Sequence, residues 1–275
     1  MSAQTTTDDD NKYLPENPWL SCSPILLAVF IYVMDGTIAN VALPHMAGSF
    51  SATRDESIWI LTSYLISSGI VIPSVDFFSK LLGRKNFYVI SVLLFTIASF
   101  LCGTATSIGQ MVFYRVLQGA GGGGIVPLSQ AIMMESFPKE RRGTAMAIFG
   151  MGVIIAPIIG PMLGGWITDN WTWPWIFFIN VPLGCIAAVL SKQLLFDPPY
   201  AHKQKNVKID KLGFTLLILW LCSLQVFFDK GNNADWFNAA WIRWLFTFSC
   251  ICGLGFFVSQ IKRNETLVDM SVLKN

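Results

Sequence analysis

The chain has 275 residues, of which 53% are hydrophobic and 13% charged, and its formal net charge is +2 at pH 7. Soluble domains usually contain about 25% charged residues, so this composition excludes an ordinary soluble enzyme or binding domain. Only helices and closed barrels satisfy every backbone polar group inside a bilayer, and the apolar runs here are far longer than barrel strands. The composition therefore predicts an all-α membrane protein.

Eight apolar segments are long enough to cross a bilayer as helices. They are residues 19–43, 57–76, 86–106, 110–135, 143–168, 174–196, 212–229 and 240–261. Of the 19 Lys and Arg residues, 15 fall in the tails and connections on the N-terminal side of the membrane, whereas only Arg54 and Lys230 fall in the opposite connections. Because cytoplasmic connections carry the excess of Lys and Arg, we predict a cytoplasmic N-terminus.

The first segment carries one acidic residue, Asp35, between two apolar flanks in AVFIYVMDGTIANVALP. A carboxylate inside a membrane is costly, and such residues usually mark ion paths, proton relays or buried pairs. One interpretation is therefore a proton-binding site, and the other is a buried Asp that only bonds a neighbouring helix. Asn40 and Pro44 follow it and predict a closely packed helix that bends near its outer end.

The fourth segment combines one basic residue with many glycines in RVLQGAGGGG. These glycines match the GxGxxG pattern of dinucleotide-binding proteins, but no β-strand precedes them and a membrane run surrounds them. We therefore interpret them as positions where the backbone of a neighbouring helix approaches closely. We expect Arg115 and Gln118 to face a polar interior.

The fifth segment has small residues at every fourth position, namely Gly152, Ala156, Gly160 and Gly164. Residues four apart lie on nearly the same face of a helix, and such stripes let helix backbones touch within lipid. Pro157 and Pro161 each remove a backbone donor and predict a bend. The pattern predicts a close helix–helix contact, of which an ordinary packing seam is the plainer interpretation.

The other polar residues indicate no catalytic chemistry. The six cysteines have neither a disulfide framework nor zinc-ligand spacing, and the sequence contains no His cluster and no nucleophile elbow. We therefore expect no enzymatic activity, no metal, no cofactor and no nucleic-acid partner. The lysines of the longest connection, residues 197–211, can contact anionic lipid headgroups.

Several motifs, in this order, resemble those of the major facilitator superfamily, specifically the fourteen-span drug:proton antiporters of the EmrB/QacA type. The motifs are MDGTIANVALP, RVLQGAGGG with Pro127 further on, APIIGPMLGGW, WIFFINVPLG and SLQVFFDKGNNADWF, and the resemblance covers nearly the whole chain beyond the N-terminal tail. Gly83, Arg84 and Lys85 fit the family's loop motif between helices two and three. Two departures are that Asp76 and Lys80 stand where this motif has Gly and Asp, and that Pro174 replaces a basic residue.

The resemblance implies a six-helix N-terminal transporter bundle in residues 19–196 and two additional transmembrane helices in residues 212–261, which makes eight spans. Residues 1–18 would be a cytoplasmic tail, residues 197–211 a basic cytoplasmic loop, and residues 262–275 a cytoplasmic tail that leads toward a second half. Because fourteen-span members have a second six-helix half, the chain resembles an N-terminal half of such a protein, closest to the EmrB-like multidrug exporters.

The resemblance also implies alternating access, in which two bundles rock around a central site. We expect proton-coupled antiport of hydrophobic or amphipathic drugs across the bacterial inner membrane, with Asp35 carrying the proton and Arg115 stabilising the ionised carboxylate. The cavity and fourth-helix motif would comprise Asn40, Gln118, Gly119, Gly121, Gly122, Gly123 and Pro127. The antiporter motif would comprise Gly152, Ala156, Pro157, Gly160, Pro161, Gly164 and Gly165, forming part of a seam that slides against the second half.

The expected partners are a small hydrophobic substrate, protons, lipid, and either a second transporter half or another copy of the chain. A periplasmic adaptor and an outer-membrane channel are also implied by the resemblance to EmrB-like exporters. Two alternatives remain open: a truncated, non-transporting membrane subunit or remnant, and an exporter of lipids or metabolites on the same scaffold. An integral membrane enzyme is a weaker alternative.

Overall fold

The computed structural model describes residue 15 and residues 17–195 and 210–262. The predicted tails 1–18 and 262–275 and the predicted loop 197–211 lie almost wholly outside the described residues. Within the described part the chain is folded into helices, which we number in chain order. They are α1 (Pro18–Ser49), α2 (Arg54–Val71), α3 (Val75–Leu82), α4 (Arg84–Gly103), α5 (Ile108–Gly122), α6 (Ile125–Ser136), α7 (Arg142–Asn170), α8 (Trp175–Phe178), α9 (Asn180–Leu194), α10 (Lys211–Gly231) and α11 (Ala240–Lys262).

Seven helical stretches among the described residues are long and apolar enough to cross a membrane. They match seven of the eight predicted segments, and the fourth predicted segment coincides with α5 and α6 together. The protein is therefore a multi-pass, all-α membrane protein, as the composition predicts.

Several helices begin at capping residues that the sequence supplies. Asn17 accepts a hydrogen bond from the backbone N–H of Leu20 at the start of α1, where Pro18 takes the first helical position. At the start of α2, Thr53 and Glu56 form a reciprocal capping box. These contacts satisfy backbone donors that have no partner inside their own helix.

The fourth predicted segment is not one helix, because α5 ends at Gly122 and α6 begins at Ile125. Pro127 has no N–H with which to reach the carbonyl of Gly123, and glycine itself has a low helix propensity. The break therefore follows from Gly123, Gly124 and Pro127 acting together. The fourth predicted segment therefore consists of two successive helices, α5 and α6.

The connection predicted between the second and third segments, 76–85, is mostly helical. After α2 a short 3-10 turn, Ile72–Ser74, leads directly into α3. The chain reverses only at Gly83, whose φ of 85° lies in a region that favours glycine. The predicted loop is thus a one-residue turn preceded by two helical turns.

Helix α1 lies at the centre of the first bundle, since it packs against α2, α6, α7 and α9. Helix α5 packs between α2 and α4, and α9 packs against α4 as well as α1. One apolar cluster, which includes Ile25, Tyr88 and Phe137, fills one end of this bundle, and a second cluster, which includes Ile38, Met111 and Phe177, fills the other end. The polar site described below lies on α1 between residues of these two clusters.

The last two helices, α10 and α11, pack on each other and attach to the outside of the bundle. A cluster of Phe77, Leu217 and Phe256 joins them to α3, and Lys230 pairs with Asp55 of α2 at 3.2 Å. These helices therefore contact the first bundle through α2 and α3.

Candidate functional site: a buried polar network around Asp35

Asp35 and Arg115 form an ion pair inside the bundle. Arg115 Nη1 lies 2.7 Å from Asp35 Oδ2, and the exposed fractions of the two side chains are 1% and 0%. Removing two charges from water is costly, and their attraction compensates only when the remaining donors and acceptors are also hydrogen-bonded. The neighbours of this pair supply such bonds.

Gln118, one helical turn after Arg115, links the two members of the ion pair. Its Oε1 accepts a hydrogen bond of 2.7 Å from Arg115 Nη1, and its Nε2 donates to Asp35 Oδ1 at 2.9 Å. Cys102 Sγ also donates to Gln118 Oε1 at 3.6 Å. Both ends of the amide are therefore occupied, which fixes its orientation.

Asn180, the first residue of α9, supplies a second amide donor to the carboxylate. Its Nδ2 donates to Asp35 Oδ1 at 2.7 Å and to Ser99 Oγ at 3.1 Å. Ser99 in turn donates to the backbone carbonyl of Phe177 at 2.9 Å. Asp35 thus accepts three hydrogen bonds, from residues on α5 and α9.

The guanidinium of Arg115 is held from other directions by α2 and by aromatic rings. Its Nε donates to the backbone carbonyl of Ile60 at 3.0 Å. Its Cζ lies 4.1 Å from the centre of the Tyr64 ring and 5.7 Å from that of Phe177, where cation–π attraction stabilises a desolvated cation. The site therefore joins α1, α2, α4, α5 and α9.

The glycines of α5 permit this approach, as the sequence predicts. A Cβ on Gly119 would collide with the backbone carbonyl oxygen of Tyr64, and one on Gly121 would lie 2.5 Å from the backbone nitrogen of Phe95. A Cβ on Gly123 would lie 2.7 Å from the carbonyl oxygen of Ser68. Small residues on two faces of α5 let it lie close to α2 and α4, and Arg115 can then reach Asp35.

The remaining residues of the fourth-helix motif have structural positions. Gly122 faces the ring of Tyr32, and Pro127 lies in the first turn of α6. Asn40 is not part of the polar network. It is exposed, and its Nδ2 donates to the backbone carbonyl of Gly36 at 3.3 Å.

The small-residue stripe of α7 has its partner within the same bundle. Ala156 is buried, and Cβ atoms on Gly160 and Gly164 would collide with Thr37 or approach Ile38 of α1. Gly160 and Gly164 therefore lie against α1 in this structure, while the predicted role of the stripe as part of a seam against a second half stays a prediction. Gly152 and Gly165 differ, because no atom lies within 4 Å of a Cβ built there.

The prolines of this stripe lie inside a continuous helix. Pro157 and Pro161 both fall within α7, which runs without interruption from Arg142 to Asn170. The exposed side of α7 is apolar, with Ile154, Ile158 and Met162 each more than half exposed. The described residues leave this apolar face of α7 uncovered.

The loop motif forms ion pairs at the end of the bundle where α3 meets α4. Arg84 pairs with Glu135 of α6 at 2.6 Å, and the Arg84 side chain is 10% exposed. Lys80 pairs with Asp76 one turn earlier on α3, and both of these side chains are largely exposed. Gly83 makes the turn, as described above.

Two residues of the network, Asn180 and Ser99, were missed in the sequence analysis. Asn180 belongs to the stretch WIFFINVPLG, where it is a polar residue within an apolar run, and Ser99 lies in the apolar third segment. The rule that identified Asp35, a polar group at membrane depth, would have found Asn180 as well. Ser99 carries no comparable signal, because serine commonly satisfies itself by bonding its own helix.

Known proteins resemble the chain over most of its length. A sequence model of the Major Facilitator Superfamily matches residues 25–268. The chain is 38% identical to the multidrug export protein EmrB of Haemophilus influenzae over 248 residues, which cover 90% of this chain and 48% of EmrB. It is 36% identical to the fatty acid resistance protein FarB of Neisseria gonorrhoeae over 260 residues, which cover 94% of this chain and 50% of FarB.

The chain thus spans about half the length of the curated relatives it matches. Among solved structures, a double-tryptophan mutant of XylE has a TM-score of 0.61 at 15% identity, over 80% of this chain and 55% of that chain. At this identity the likeness concerns the fold.

Proposed function

Because the chain belongs to the Major Facilitator Superfamily, we propose that it forms the proton-coupling part of an exporter of hydrophobic or amphipathic compounds. The observation that carries this proposal is the ion pair of Asp35 and Arg115, which is fully buried between two apolar clusters of the bundle. A purely structural bundle has little use for such a pair, since apolar residues of similar volume are often at least as stabilising.

The proposed mechanism uses the carboxylate of Asp35 as the proton carrier. When Asp35 is ionised, its attraction to Arg115 holds α1 against α5 and α2. A proton that binds to the carboxylate cancels its charge, which weakens this attraction and favours a different arrangement of the helices. A bound proton shifts the equilibrium between two conformations of the transporter only if it stabilises one more than the other. Protonation of Asp35 would have this effect, so inward movement of protons can drive outward movement of substrate.

The proposed substrates are hydrophobic or amphipathic molecules. The names of EmrB and FarB connect those two relatives with multidrug export and fatty acid resistance respectively. Drugs and fatty acids share a large apolar part, so the same class of compound is our proposal for this chain. We propose a transporter rather than an enzyme, in a bacterial inner membrane and with the N-terminus on the cytoplasmic side.

We propose that the active unit contains a second six-helix half or a second copy of this chain. Alternating access requires two bundles around a central site, and the apolar face of α7 with Ile154, Ile158 and Met162 is exposed. By resemblance to EmrB-like exporters, a periplasmic adaptor and an outer-membrane channel would complete the export path.

The experiment that tests this function measures dye uptake by everted membrane vesicles with an acidic interior, from a bacterial strain without its own multidrug exporters. The chain is expressed alone and together with the second half of Haemophilus influenzae EmrB. We expect pH-dependent uptake in at least one arm and its loss in Asp35→Asn. Asp169→Asn, which changes an exposed carboxylate at the end of α7, is the matched control and should transport normally.

Each other outcome selects an alternative. Normal dye uptake by Asp35→Asn would remove Asp35 from the mechanism. Inserted protein that moves no compound in either arm would support a non-transporting subunit or remnant. Movement of a fatty acid without movement of any dye would support a lipid exporter.

A further inference from the structure

The amide of Asn180 is only half satisfied, unlike that of Gln118. Asn180 is fully buried, and its Nδ2 bonds both Asp35 Oδ1 and Ser99 Oγ. Its Oδ1 is buried without a hydrogen-bond partner among the described residues. A buried acceptor without a donor is unfavourable, so its presence beside the carboxylate requires an explanation.

The two oxygens of Asp35 are not equivalent as proton acceptors. Oδ2 accepts from the cationic Arg115, whereas Oδ1 accepts from the two neutral amides of Gln118 and Asn180. A proton on Oδ2 would face the guanidinium directly, whereas a proton on Oδ1 would displace only a neutral N–H donor. Charge-assisted bonds are the stronger ones, so Oδ1 is the oxygen on which a proton is best accommodated.

The two amides next to Asp35 Oδ1 also differ in whether their oxygen already accepts a hydrogen bond. A protonated Oδ1 is a donor and needs an acceptor close by. The Oε1 of Gln118 already accepts from Arg115 and Cys102. The Oδ1 of Asn180 has no hydrogen bond among the described residues, and it belongs to an amide that already contacts Asp35 Oδ1.

The backbone near Asn180 keeps this amide directed at Asp35. Helix α8 ends at Phe178 and α9 begins at Asn180, because Pro182 has no N–H to bond the carbonyl of Phe178. The hydroxyl of Ser99 bonds the neighbouring carbonyl of Phe177 and accepts from Asn180. Helices α4 and α9 are thereby joined at the carboxylate.

We propose that Asn180 is a positioning residue for the proton site: its amide donates an N–H to ionised Asp35 and, by turning about its Cβ–Cγ bond, offers its unpaired Oδ1 to the protonated form. This inference rests on the proposed proton-carrying role of Asp35. Under this proposal, protonation of Asp35 changes hydrogen bonds to α4 and α9 as well as to α5. No covalent bond other than the O–H bond of Asp35 forms or breaks.

The test measures protonation of Asp35 directly and does not depend on transport. The transporter containing the full chain is reconstituted in lipid, and infrared difference spectra are recorded as the pH is changed. The carbonyl-stretch band of a protonated carboxylic acid that disappears in Asp35→Asn reports on Asp35. In Asn180→Leu, which keeps the approximate volume but has neither donor nor acceptor, we expect this band to move to higher frequency, because the O–H of protonated Asp35 loses its acceptor.

A matched control is Ser191→Ala. Ser191 is also fully buried on α9 and has a hydroxyl without a partner among the described residues, but it makes no bond to Asp35. We expect no shift in this variant. If Asn180→Leu does not fold, Ser99→Ala removes the acceptor of the second Asn180 bond, and a smaller shift in the same direction is expected.

The outcomes separate this inference from the proposed function. An Asp35-specific band at the same frequency in wild type, Asn180→Leu and Ser99→Ala would overturn the role of Asn180 and leave the proton-carrying role of Asp35 intact. If no band is lost in Asp35→Asn at any pH, Asp35 does not exchange protons, and the proposed function itself fails.

Discussion

Arg115 Nη1 lies 2.7 Å from Asp35 Oδ2 although the two residues are 80 positions apart in the chain. Neither side chain has access to solvent, so each is the main compensation for the charge of the other. The pair therefore couples the position of α1 to that of α5. Any change in the charge of Asp35 acts directly on this helix contact.

Breaking this ion pair should be much more destabilising than breaking an exposed one. We expect Asp35→Asn and Arg115→Met each to lose about 3–5 kcal/mol of unfolding free energy, because each leaves the partner buried and unpaired. The double variant should lose less than the sum, since it leaves no buried charge. Unfolding in mixed detergent micelles measures these values. The control is Lys80→Met, whose partner Asp76 is exposed and whose loss should cost about 0–1 kcal/mol. Equal losses at both pairs would contradict this prediction.

Gly119 should not tolerate even one methyl group. In Gly119→Ala the new Cβ would collide with the carbonyl oxygen of Tyr64, and overpacking of this kind typically costs about 1–3 kcal/mol. Thermal unfolding of the purified protein measures the loss. Gly109→Ala on the same helix is the control, because nothing lies within 4 Å of its Cβ and alanine favours helix. A Gly119→Ala variant as stable as Gly109→Ala would show that α2 and α5 are not in close contact.

Gly160 and Gly152, both on α7, should respond differently to substitution by Val. Gly160→Val should disrupt folding, because its side chain would enter the space of Thr37 and Met34 on α1. Gly152→Val should leave the folding of this bundle unchanged, since the space around its Cβ is open. Size-exclusion profiles and thermal unfolding test folding, and dye uptake tests function. Loss of uptake in well-folded Gly152→Val would indicate contact with a second half, whereas disruption of folding there would contradict the described packing.

The attachment of α10 to α2 can be tested by cross-linking. Asp55 lies near the start of α2 and Lys230 near the end of α10, and their charged atoms are 3.2 Å apart. In a chain whose six cysteines are replaced by Ser, Asp55→Cys together with Lys230→Cys should be joined by a short bismaleimide. Gel mobility after cleavage of the connection between α9 and α10 measures the product. Lys230→Cys paired with Asp169→Cys is the control, and efficient cross-linking of that pair would argue against the observed docking.

The predicted orientation can be tested with a membrane-impermeant maleimide on intact cells. Asn170→Cys lies beside the tryptophans that follow α7, and Glu140→Cys lies before α7 among Lys139, Arg141 and Arg142. With a cytoplasmic N-terminus, only Asn170→Cys should be labelled from outside. Labelling of Glu140→Cys in intact as well as permeabilised cells would contradict the predicted orientation.

The sequence was sufficient to predict the class of fold and most of its helices. Seven of the eight predicted segments are spanning helices, because the length of an apolar run is a local property and the bilayer sets a minimum for it. The same holds for Asp35, Arg115 and Gln118, whose polarity at membrane depth is visible without knowing their neighbours. The turn at Gly83 depends on the backbone dihedral angles of that residue, and the helix break at Gly123 depends on Pro127. The predicted segment boundaries are less accurate at both places.

Only the tertiary structure decided which residues meet. The stripe of Ala156, Gly160 and Gly164 indicates a close contact, but small residues carry no chemical label for their partner, and the structure shows that Gly160 and Gly164 contact α1. In the same way the network around Asp35 needed Asn180 and Ser99, which lie on two other helices and are brought there by the packing of the whole bundle. Hydrogen bonds act over about 3 Å, whereas sequence patterns report only the face of a helix, so contacts between distant segments are determined by three-dimensional packing.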